Sequence, residues 1–288
     1  MTIHRITIIG TGLIGASAGL ALRAAQFPGE IVGWDRHSSQ AELALERGAV
    51  DTTAGDAIAA ALSSDLILLS GPVFTILEWM EKLAPLLQPH QLVTDVGSVK
   101  LAIAERAQPL FGNPGQAGFL PGHPMAGKEV SGAANADAQL FAHAVWLFTE
   151  FAPHPLAAEW RAWVERLGCR TMDIQAARHD EICAWVSHLP QFLATALSAM
   201  LEDRFGDAPD LQAIGGRALR EMTRLGSSPY SMWRDIAHTN EEKISEALFS
   251  LEQRLAYVRE NLKTPELRDE FERANRFRTI LPGKKSFT

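Results

Sequence analysis

The chain has 288 residues, of which 47% are hydrophobic and 21% charged, and its formal net charge is −7. This composition is that of an ordinary folded protein, and the negative charge argues against a nucleic-acid partner. Two cysteines, Cys169 and Cys183, cannot build a disulfide framework, and their spacing forms no metal knuckle. We therefore expect a reducing, cytoplasmic compartment and no bound metal.

The first uncharged stretch, residues 6–22, could pass for the core of a signal peptide, because His4 and Arg5 precede it. It contains four glycines, however, and we interpret it as a strand, a turn and a helix. No later segment has the ~18 uninterrupted apolar residues of a membrane span, so we expect no membrane partner.

Short β-branched runs alternate with helical stretches over the first 174 residues. In chain order, the pattern predicts strand 5–9, helix 13–25, strand 30–34, helix 39–47, and strands 66–70, 91–95 and 144–149. The continuous apolar run at 66–70 is typical of a parallel strand covered on both faces. The alternation predicts an α/β domain with a Rossmann-type, doubly wound parallel sheet.

After about residue 173, apolar residues recur at the three- and four-residue spacing of one helix face: Ile182, Val186, Leu189, Leu193, Leu197 and Met200. Pro190 should kink this helix. Further helices are predicted over 210–224, 231–261 and 265–275. We predict a dinucleotide-binding domain over 1–174, an all-helical substrate-binding and dimerisation domain over 175–288, and a homodimer.

A glycine-rich turn follows the first predicted strand. Gly10, Gly12 and Gly15 match G-x-G-x-x-G between a strand and a helix, which is the context of a dinucleotide-binding turn. Asp35 ends the second strand, where a carboxylate binds the adenine-ribose hydroxyls and favours NAD over NADP. The predicted cofactor-binding residues are Gly10, Gly12, Leu13, Ile14, Gly15, Asp35, Arg36, Ser70 and Pro72.

Three more motifs carry a resemblance: Val-Gly-Ser-Val-Lys at 96–100, Gly-His-Pro-Met-Ala-Gly at 122–127 and Ser-His-Leu-Pro-Gln at 187–191. With the opening Gly-Leu-Ile-Gly, the chain resembles the prephenate/arogenate (cyclohexadienyl) dehydrogenase family over residues 6–261. The resemblance implies NAD-dependent oxidative decarboxylation of prephenate to 4-hydroxyphenylpyruvate, on the route to tyrosine. Arogenate, or both compounds, is the alternative substrate.

That reaction needs a base at the ring hydroxyl, and a histidine has a suitable pKa. His123 lies in a predicted loop between Gly122 and Pro124, and the resemblance implies that it is the catalytic residue. The resemblance also implies that Ser98 holds the substrate hydroxyl and the histidine. Ser98 could equally be the N-cap of the next helix, and both roles could hold together.

The resemblance places substrate-binding residues in the helical region. Arg224 precedes Ser-Met-Trp-Arg at 231–234 and is expected to bind a substrate carboxylate. Alternatively, it could only stabilise the C-terminus of its helix, where a positive charge interacts favourably with the helix dipole. Arg217 and Arg220 lie on the same predicted helix face by their spacing and are further candidates for binding a substrate carboxylate, although Arg217 could instead pair with Glu221. His188 and Trp233 could be substrate contacts or core residues. Relatives carry a second histidine where this chain has Gln191, a neutral side chain that favours prephenate's keto acid over arogenate's ammonium.

Two other classes of protein share parts of this pattern. A β-hydroxyacid or imine reductase would have the same two-domain plan but has no need of the Gly-His-Pro-Met-Ala-Gly motif. A non-catalytic dinucleotide sensor would not need Ser98, His123 and Arg224 together. The segment His179-Asp180-Glu181 looks metal-like, but neighbouring residues on a helix point in different directions, so we predict no site there.

Overall fold

The computed structural model describes residues 2–280. Contacts between Cα atoms divide the chain into two compact units, with the division between Glu241 and Glu242. The predicted domain boundary after residue 174 is a different division and stays a prediction. Over residues 2–280, none of the helices is both long enough and apolar enough to cross a membrane.

The first sheet has six strands, all parallel, in the spatial order β3-β2-β1-β4-β5-β6. This order confirms the predicted Rossmann-type sheet, whose ligand crevice opens where the strand order reverses, between β1 and β4. The four residues of β4 are all buried, as the apolar run predicted. The strands are β1 (Arg5–Ile9), β2 (Glu30–Trp34), β3 (Thr52–Thr53), β4 (Leu66–Leu69), β5 (Leu92–Asp95) and β6 (Gly118–Leu120).

Six helices accompany these strands in the sequence. The apolar side of α1 is buried with β1 and β4 in one core cluster, which includes Leu22, Ile6, Ile8 and Leu66. The helices are α1 (Leu13–Ala24), α2 (Ser38–Glu46), α3 (Ala57–Leu62), α4 (Val73–Leu83), α5 (Leu101–Phe111) and α6 (Pro155–Arg166).

A second sheet of three strands follows β6. It consists of β7 (Gly122–Pro124), β8 (Val145–Phe148) and β9 (Arg170–Asp173). β7 is antiparallel to β8, and β8 is parallel to β9. His123 therefore lies in a strand opposite Leu147, not in the predicted loop. The local sequence hid this strand because it is short and begins and ends with Gly122 and Pro124.

From Ala176 to Ile280 the chain is helical apart from short connections, as predicted. Pro190 lies in the first turn of α8, directly after a π-helical turn over Ala184–His188, so the long predicted helix is interrupted before the proline. A π turn of this kind is often found at functional sites. The helices are α7 (Ala176–Cys183), α8 (Leu189–Phe205), α9 (Pro209–Ile214), α10 (Arg217–Thr223), α11 (Tyr230–Thr239), α12 (Glu241–Glu260) and α13 (Pro265–Ile280).

Two of the predicted helices were wrong in extent. The helix predicted over 210–224 is two helices, because the adjacent Gly215 and Gly216 separate α9 from α10. The helix predicted over 231–261 ends at Thr239 and restarts at Glu241. Asn240 between them has φ −133°, and its side chain donates to the backbone oxygen of Asp180 at 2.9 Å. A long-range hydrogen bond thus interrupts a locally continuous helical pattern.

Candidate active site

The glycine-rich turn joins β1 to α1 at the crevice. Gly10 has φ +100°, and a Cβ there would lie 2.1 Å from the backbone oxygen of Ser70. A Cβ on Gly15 would lie 2.0 Å from the backbone oxygen of Gly10. Both positions therefore require glycine, one for its conformation and both for close packing.

Gly12 faces open space instead. Within residues 2–280, apart from Gly12 itself and its two chain neighbours, no heavy atom lies within 4 Å of the place where its Cβ would be, and Gly12 is the N-cap of α1. Leu13 and Ile14 form the first turn, where free N–H groups can bind a phosphate. The hydroxyls of Thr11 and Ser70 are buried beside this turn without a hydrogen-bond partner among the described residues. These features fit the pyrophosphate of a dinucleotide.

Asp35 follows β2 as predicted. Its carboxylate accepts hydrogen bonds from the backbone N–H groups of Thr11 and His37, both at 2.9 Å. It lines a cavity of about 460 Å³ together with the exposed Arg36. Pro72, the N-cap of α4, comes soon after β4, one of the two strands that border the crevice. The arrangement fits the adenosine half of NAD.

His123 lies beyond the carboxyl end of β5. The N–H of the preceding Gly122 donates to Asp95 Oδ1 at 3.1 Å, and Lys100 Nζ donates to the Gly122 oxygen at 2.7 Å. His123 is 7% exposed. Burial lowers its pKa well below 6.5, and the charges of neighbouring His179, Lys100 and His188 add to this effect. The ring is neutral at pH 7, as a base requires.

A buried ion pair positions this strand. Lys100 and Asp95 are both fully buried and form a salt bridge, and Asp95 Oδ2 also accepts from the N–H of Gly97 at 2.8 Å. Desolvation lowers the pKa of Lys100, and Asp95 opposes that shift. Removing one partner of such a pair costs about 3–5 kcal/mol, since the other charge stays buried. Sequence patterns assigned Lys100 and Asp95 no role.

The partner of His123 is His179, in a segment for which the sequence predicted no site. His123 Nδ1 lies 2.8 Å from His179 Nε2, and His179 Nδ1 lies 2.6 Å from Asp180 Oδ1. Cys183, four residues after His179, places its thiol 3.6 Å from the same Nε2. The sequence analysis considered only neighbours on the same helix and therefore missed His123, which comes from another element. The sequence did show that Cys183 follows His179 by four residues, a spacing that places both side chains on one face of the helix.

Asp180 also decides how α5 begins. Its two carboxylate oxygens accept from the backbone N–H groups of Lys100 at 2.7 Å and Leu101 at 2.9 Å. Lys100 is the N-cap residue, so the alternative that Ser98 caps this helix was wrong. The half-buried Ser98 makes no side-chain hydrogen bond to His123 in the described part of the chain. Its predicted contact with the substrate hydroxyl stays a prediction.

His188 and Trp233 lie against each other. Their rings are 5.9 Å apart at an interplanar angle of 82°, and Asn240 Nδ2 lies 3.3 Å from His188 Nδ1. Burial lowers the pKa of His188 to about 4. His188 Nε2 and Trp233 Nε1 are buried with no hydrogen-bond partner of normal geometry within residues 2–280. Both groups could therefore serve a ligand.

Gln191 lines a cavity of about 350 Å³ with Trp233 and Tyr230. Its amide nitrogen donates to the backbone oxygen of Leu225 at 2.7 Å and to the Thr195 hydroxyl at 3.2 Å. Gln191 thus holds the turn that follows Arg224, and only its amide oxygen is left for a ligand.

The three arginines differ in their partners. Arg224 pairs with Glu129, six residues after His123, which brings its guanidinium to the segment that follows His123. Arg217 is 87% exposed at its side chain and pairs with Glu221, as the alternative predicted. Arg220 donates to the Gly215 oxygen at 3.0 Å. The sequence gave no indication that Glu129 would pair with Arg224, because nothing in its local sequence sets it apart from other surface glutamates.

Comparisons with known proteins agree with this geometry. The family profile of the prephenate dehydrogenase nucleotide-binding domain matches residues 18–168, and that of the prephenate dehydrogenase dimerization domain matches residues 175–277. A prephenate dehydrogenase of Lactococcus lactis is 32% identical over 252 residues, which are 87% of this chain and 69% of that protein. The chain belongs to the prephenate dehydrogenase family.

Two crystal structures extend the similarity to the fold. Prephenate dehydrogenase from A. aeolicus, in complex with hydroxyphenyl propionate and NAD+, has a TM-score of 0.87 at 29% identity and covers 98% of this chain and 99% of its own. Synechocystis arogenate dehydrogenase has a TM-score of 0.76 at 32% identity, over 96% and 100%. As a member of the prephenate dehydrogenase family, the chain is an NAD-dependent dehydrogenase, which excludes the non-catalytic sensor.

Proposed function

We propose that this protein oxidises prephenate with NAD+ and releases 4-hydroxyphenylpyruvate and carbon dioxide, a step that serves tyrosine biosynthesis. The observation that carries the proposal is the position of His123. It is a buried, neutral imidazole beyond the carboxyl end of β5, close to the crevice, and Arg224 is tied to the segment that follows it.

The chemistry divides between the cofactor and the chain. When bound, NAD+ would supply the acceptor for the hydride that leaves C4 of the substrate ring. His123 Nε2 accepts the proton of the C4 hydroxyl, which favours the developing carbonyl. Because the product is a phenol, His123 returns that proton to the same oxygen as carbon dioxide leaves C1. Proton transfer by a positioned side chain contributes typically ~10²–10⁴-fold to the rate.

Arg224 is proposed to bind a substrate carboxylate. A guanidinium can bind a carboxylate through two parallel hydrogen bonds. Its side chain is 60% exposed and already paired with Glu129, so the substrate must replace or share that partner. Exposed charge pairs are worth only ~0.2–1 kcal/mol, and enclosure by the substrate raises that value.

Prephenate is preferred over arogenate in this proposal. The two compounds differ at the side chain, where arogenate carries an ammonium. Gln191 carries no charge to pair with that ammonium, and because its amide nitrogen is committed to Leu225, only its amide oxygen is free to accept a hydrogen bond from it. The arogenate alternative is supported by the similarity to the Synechocystis enzyme. Because the Lactococcus lactis relative is a prephenate dehydrogenase, the keto acid is expected as the better substrate, with arogenate slower.

Turnover assays test the activity directly. Purified protein is given prephenate or arogenate, each with NAD+ or NADP+, and the absorbance of the reduced nicotinamide is followed. Prephenate with NAD+ should give the highest kcat/KM. The His123→Asn variant, prepared in parallel, supplies the background rate. If no pair of substrate and cofactor is turned over above that background, the proposal is wrong.

We also infer that the protein is a homodimer. The matched dimerization domain is one support. The other is α13, which has no buried residue within the described chain although Phe271, Phe277 and Ile280 are exposed there to 66%, 62% and 76%. Large apolar side chains gathered on one helix are typical of a surface that another copy covers. The cytoplasmic location stays a prediction of the sequence.

A further inference from the structure

A chain of hydrogen bonds runs from His123 into the protein. His123 Nδ1 lies 2.8 Å from His179 Nε2, and His179 Nδ1 lies 2.6 Å from Asp180 Oδ1. All three side chains are buried, and we call these three residues the relay. The positions of the protons along the relay determine which nitrogen of His123 can act as a base.

The direction of the relay is set at Asp180. Its oxygens accept from the backbone N–H groups of Lys100 and Leu101. Backbone N–H groups can only donate, so both oxygens of Asp180 act as acceptors. The nitrogen that faces Oδ1, Nδ1 of His179, must therefore be the donor in that bond.

This assignment passes along the relay. Burial lowers the pKa of His179, although the hydrogen bond to Asp180 opposes the shift, so the ring is neutral at pH 7. A neutral imidazole carries one proton, so a ring that donates through Nδ1 accepts through Nε2. His123 must then donate through its own Nδ1. Its Nε2 is left unprotonated, on the other side of the ring.

We propose that His179 and Asp180 are positioning residues for the base: they hold His123 in the Nδ1–H tautomer, so that Nε2 accepts the substrate hydroxyl proton. This inference rests on the proposed function. It assigns a role to two side chains that do not touch the substrate. Free imidazole side chains can adopt either tautomer, so a fixed partner is needed to select one.

The same bonds stabilise the charge that forms during the reaction. When the substrate O–H bond breaks and a bond from Nε2 to that proton forms, His123 becomes an imidazolium. Its Nδ1–H still donates to His179, whose Nδ1–H donates to Asp180, so no other proton needs to move. The carboxylate of Asp180 offsets the positive charge. The titratable groups that surround His123 and His179 are His188, Lys100, Asp95, Asp180 and Cys183.

A metal site is the other interpretation of this cluster. Ligand atoms of His123, His179 and Cys183 all lie within 4.8 Å of one another. Two imidazole nitrogens on one tetrahedral zinc, at bonds of ~2.0–2.1 Å, would be about 3.3 Å apart. The observed 2.8 Å is instead the length of an N–H···N hydrogen bond. Burial also raises the pKa of the Cys183 thiol to about 12, which disfavours the thiolate.

Kinetics of three variants test the relay. His179→Phe keeps a ring of similar size but removes the acceptor, and we expect kcat to fall about 100-fold, at the low end of general-base effects. KM and the Kd for NAD+ should stay within about twofold, since neither ligand touches His179. His179→Gln, whose amide oxygen can accept from Nδ1–H, should recover at least about tenfold of the loss. Cys183→Ala, the matched control, alters the same buried neighbourhood and should keep kcat within about twofold.

The tautomer itself can be measured on the wild-type enzyme. Protein labelled with ¹⁵N at histidine gives distinct nitrogen shifts for protonated and unprotonated ring nitrogens, and His123→Asn identifies the signals of His123. We expect Nδ1 protonated and Nε2 unprotonated at pH 7.5. This measurement holds even if His179→Phe fails to fold, and it does not depend on which substrate is used.

Three results would overturn the relay. The first is an Nε2–H tautomer, or a charged ring, for His123 at pH 7.5. The second is a folded His179→Phe variant with wild-type kcat, or a His179→Gln variant no better than His179→Phe. The third is activity that a chelator removes and zinc restores, which would make the cluster a metal site. Failure of the wild type on both prephenate and arogenate would instead defeat the proposed function, while the tautomer measurement still decides the relay.

Discussion

His123 combines burial with a basic nitrogen. Desolvation disfavours the charged ring, so its pKa lies well below 6.5, and the neutral base persists over the whole physiological range. We expect kcat/KM to be flat from pH 6.5 to 8 and to fall only as the pH drops through this lowered pKa. A decline that begins above pH 7 would mean that another group is the base.

Replacing His123 separates chemistry from binding. His123→Asn should lower kcat roughly 10²–10⁴-fold because the proton acceptor is lost. The Kd for NAD+ should change less than about twofold, because the cofactor residues lie on the other loops of the crevice. Steady-state rates and a fluorescence titration with NAD+ measure the two quantities. Rates equal to those of the wild type would place the base elsewhere.

Arg224 and Arg217 form a matched pair of exposed arginines near one another in sequence. Arg224→Ala should raise KM for prephenate roughly 10-fold, equivalent to ~1.4 kcal/mol, because a carboxylate partner is lost. Arg217→Ala measures the general effect of removing one positive charge, since Glu221 already holds that guanidinium. Equal KM values for the two variants would contradict a specific role of Arg224 in binding the substrate carboxylate, because Arg217 would then contribute as much.

At the scale of elements, two glycines in the turn between β1 and α1 are expected to have different roles: Gly10 is needed for stability and Gly12 for binding NAD+. Gly10→Ala should lower Tm by at least about 5 °C, because φ +100° is strained for alanine and the Cβ would meet the Ser70 oxygen at 2.1 Å. Gly12→Val should leave Tm within about 2 °C, because open space surrounds that position among the described residues. Its Kd for NAD+ should rise at least about 10-fold. Thermal unfolding and NAD+ titration of both variants check this contrast, and equal effects would contradict it.

Interruptions of the helices also position the site. The π turn over Ala184–His188 and the break at Asn240 meet at His188, where Asn240 lies 3.3 Å from Nδ1. The 3₁₀ turn over Arg224–Ser227 carries Arg224 and is held by Gln191. Continuous α-helices would not bring these side chains to the same region. The irregular backbone is thus where the substrate residues are predicted to lie.

For the whole molecule, the exposed apolar side chains of α13 predict the assembly. The wild type should sediment at twice the chain mass of 31.5 kDa. Phe271→Glu combined with Phe277→Glu should shift the species toward the monomer, since two charges would be buried at the interface. Arg276→Glu, exposed on the same helix, is the control and should remain a dimer. A monomeric wild type would contradict the proposed homodimer.

Local sequence patterns were enough to predict the parallel sheet, the cofactor and the family. The alternation of apolar runs predicted the parallel sheet, because a strand covered on both faces needs a continuous hydrophobic segment. The glycine turn and Asp35 predicted NAD, because their spacing follows from the geometry of one strand, turn and helix. Motif order was enough to indicate the family. These features depend on residues that are neighbours in the chain.

Contacts between distant segments were decided only by the tertiary structure. His179 lies 56 residues after His123, and Arg224 lies 95 residues after Glu129, so neither pair leaves a local signal. The same reason explains the missed helix break at Asn240, which depends on the backbone of Asp180. A side chain's partner is set by which faces of the helices and strands pack together, and this packing brings residues distant in the chain within hydrogen-bonding range.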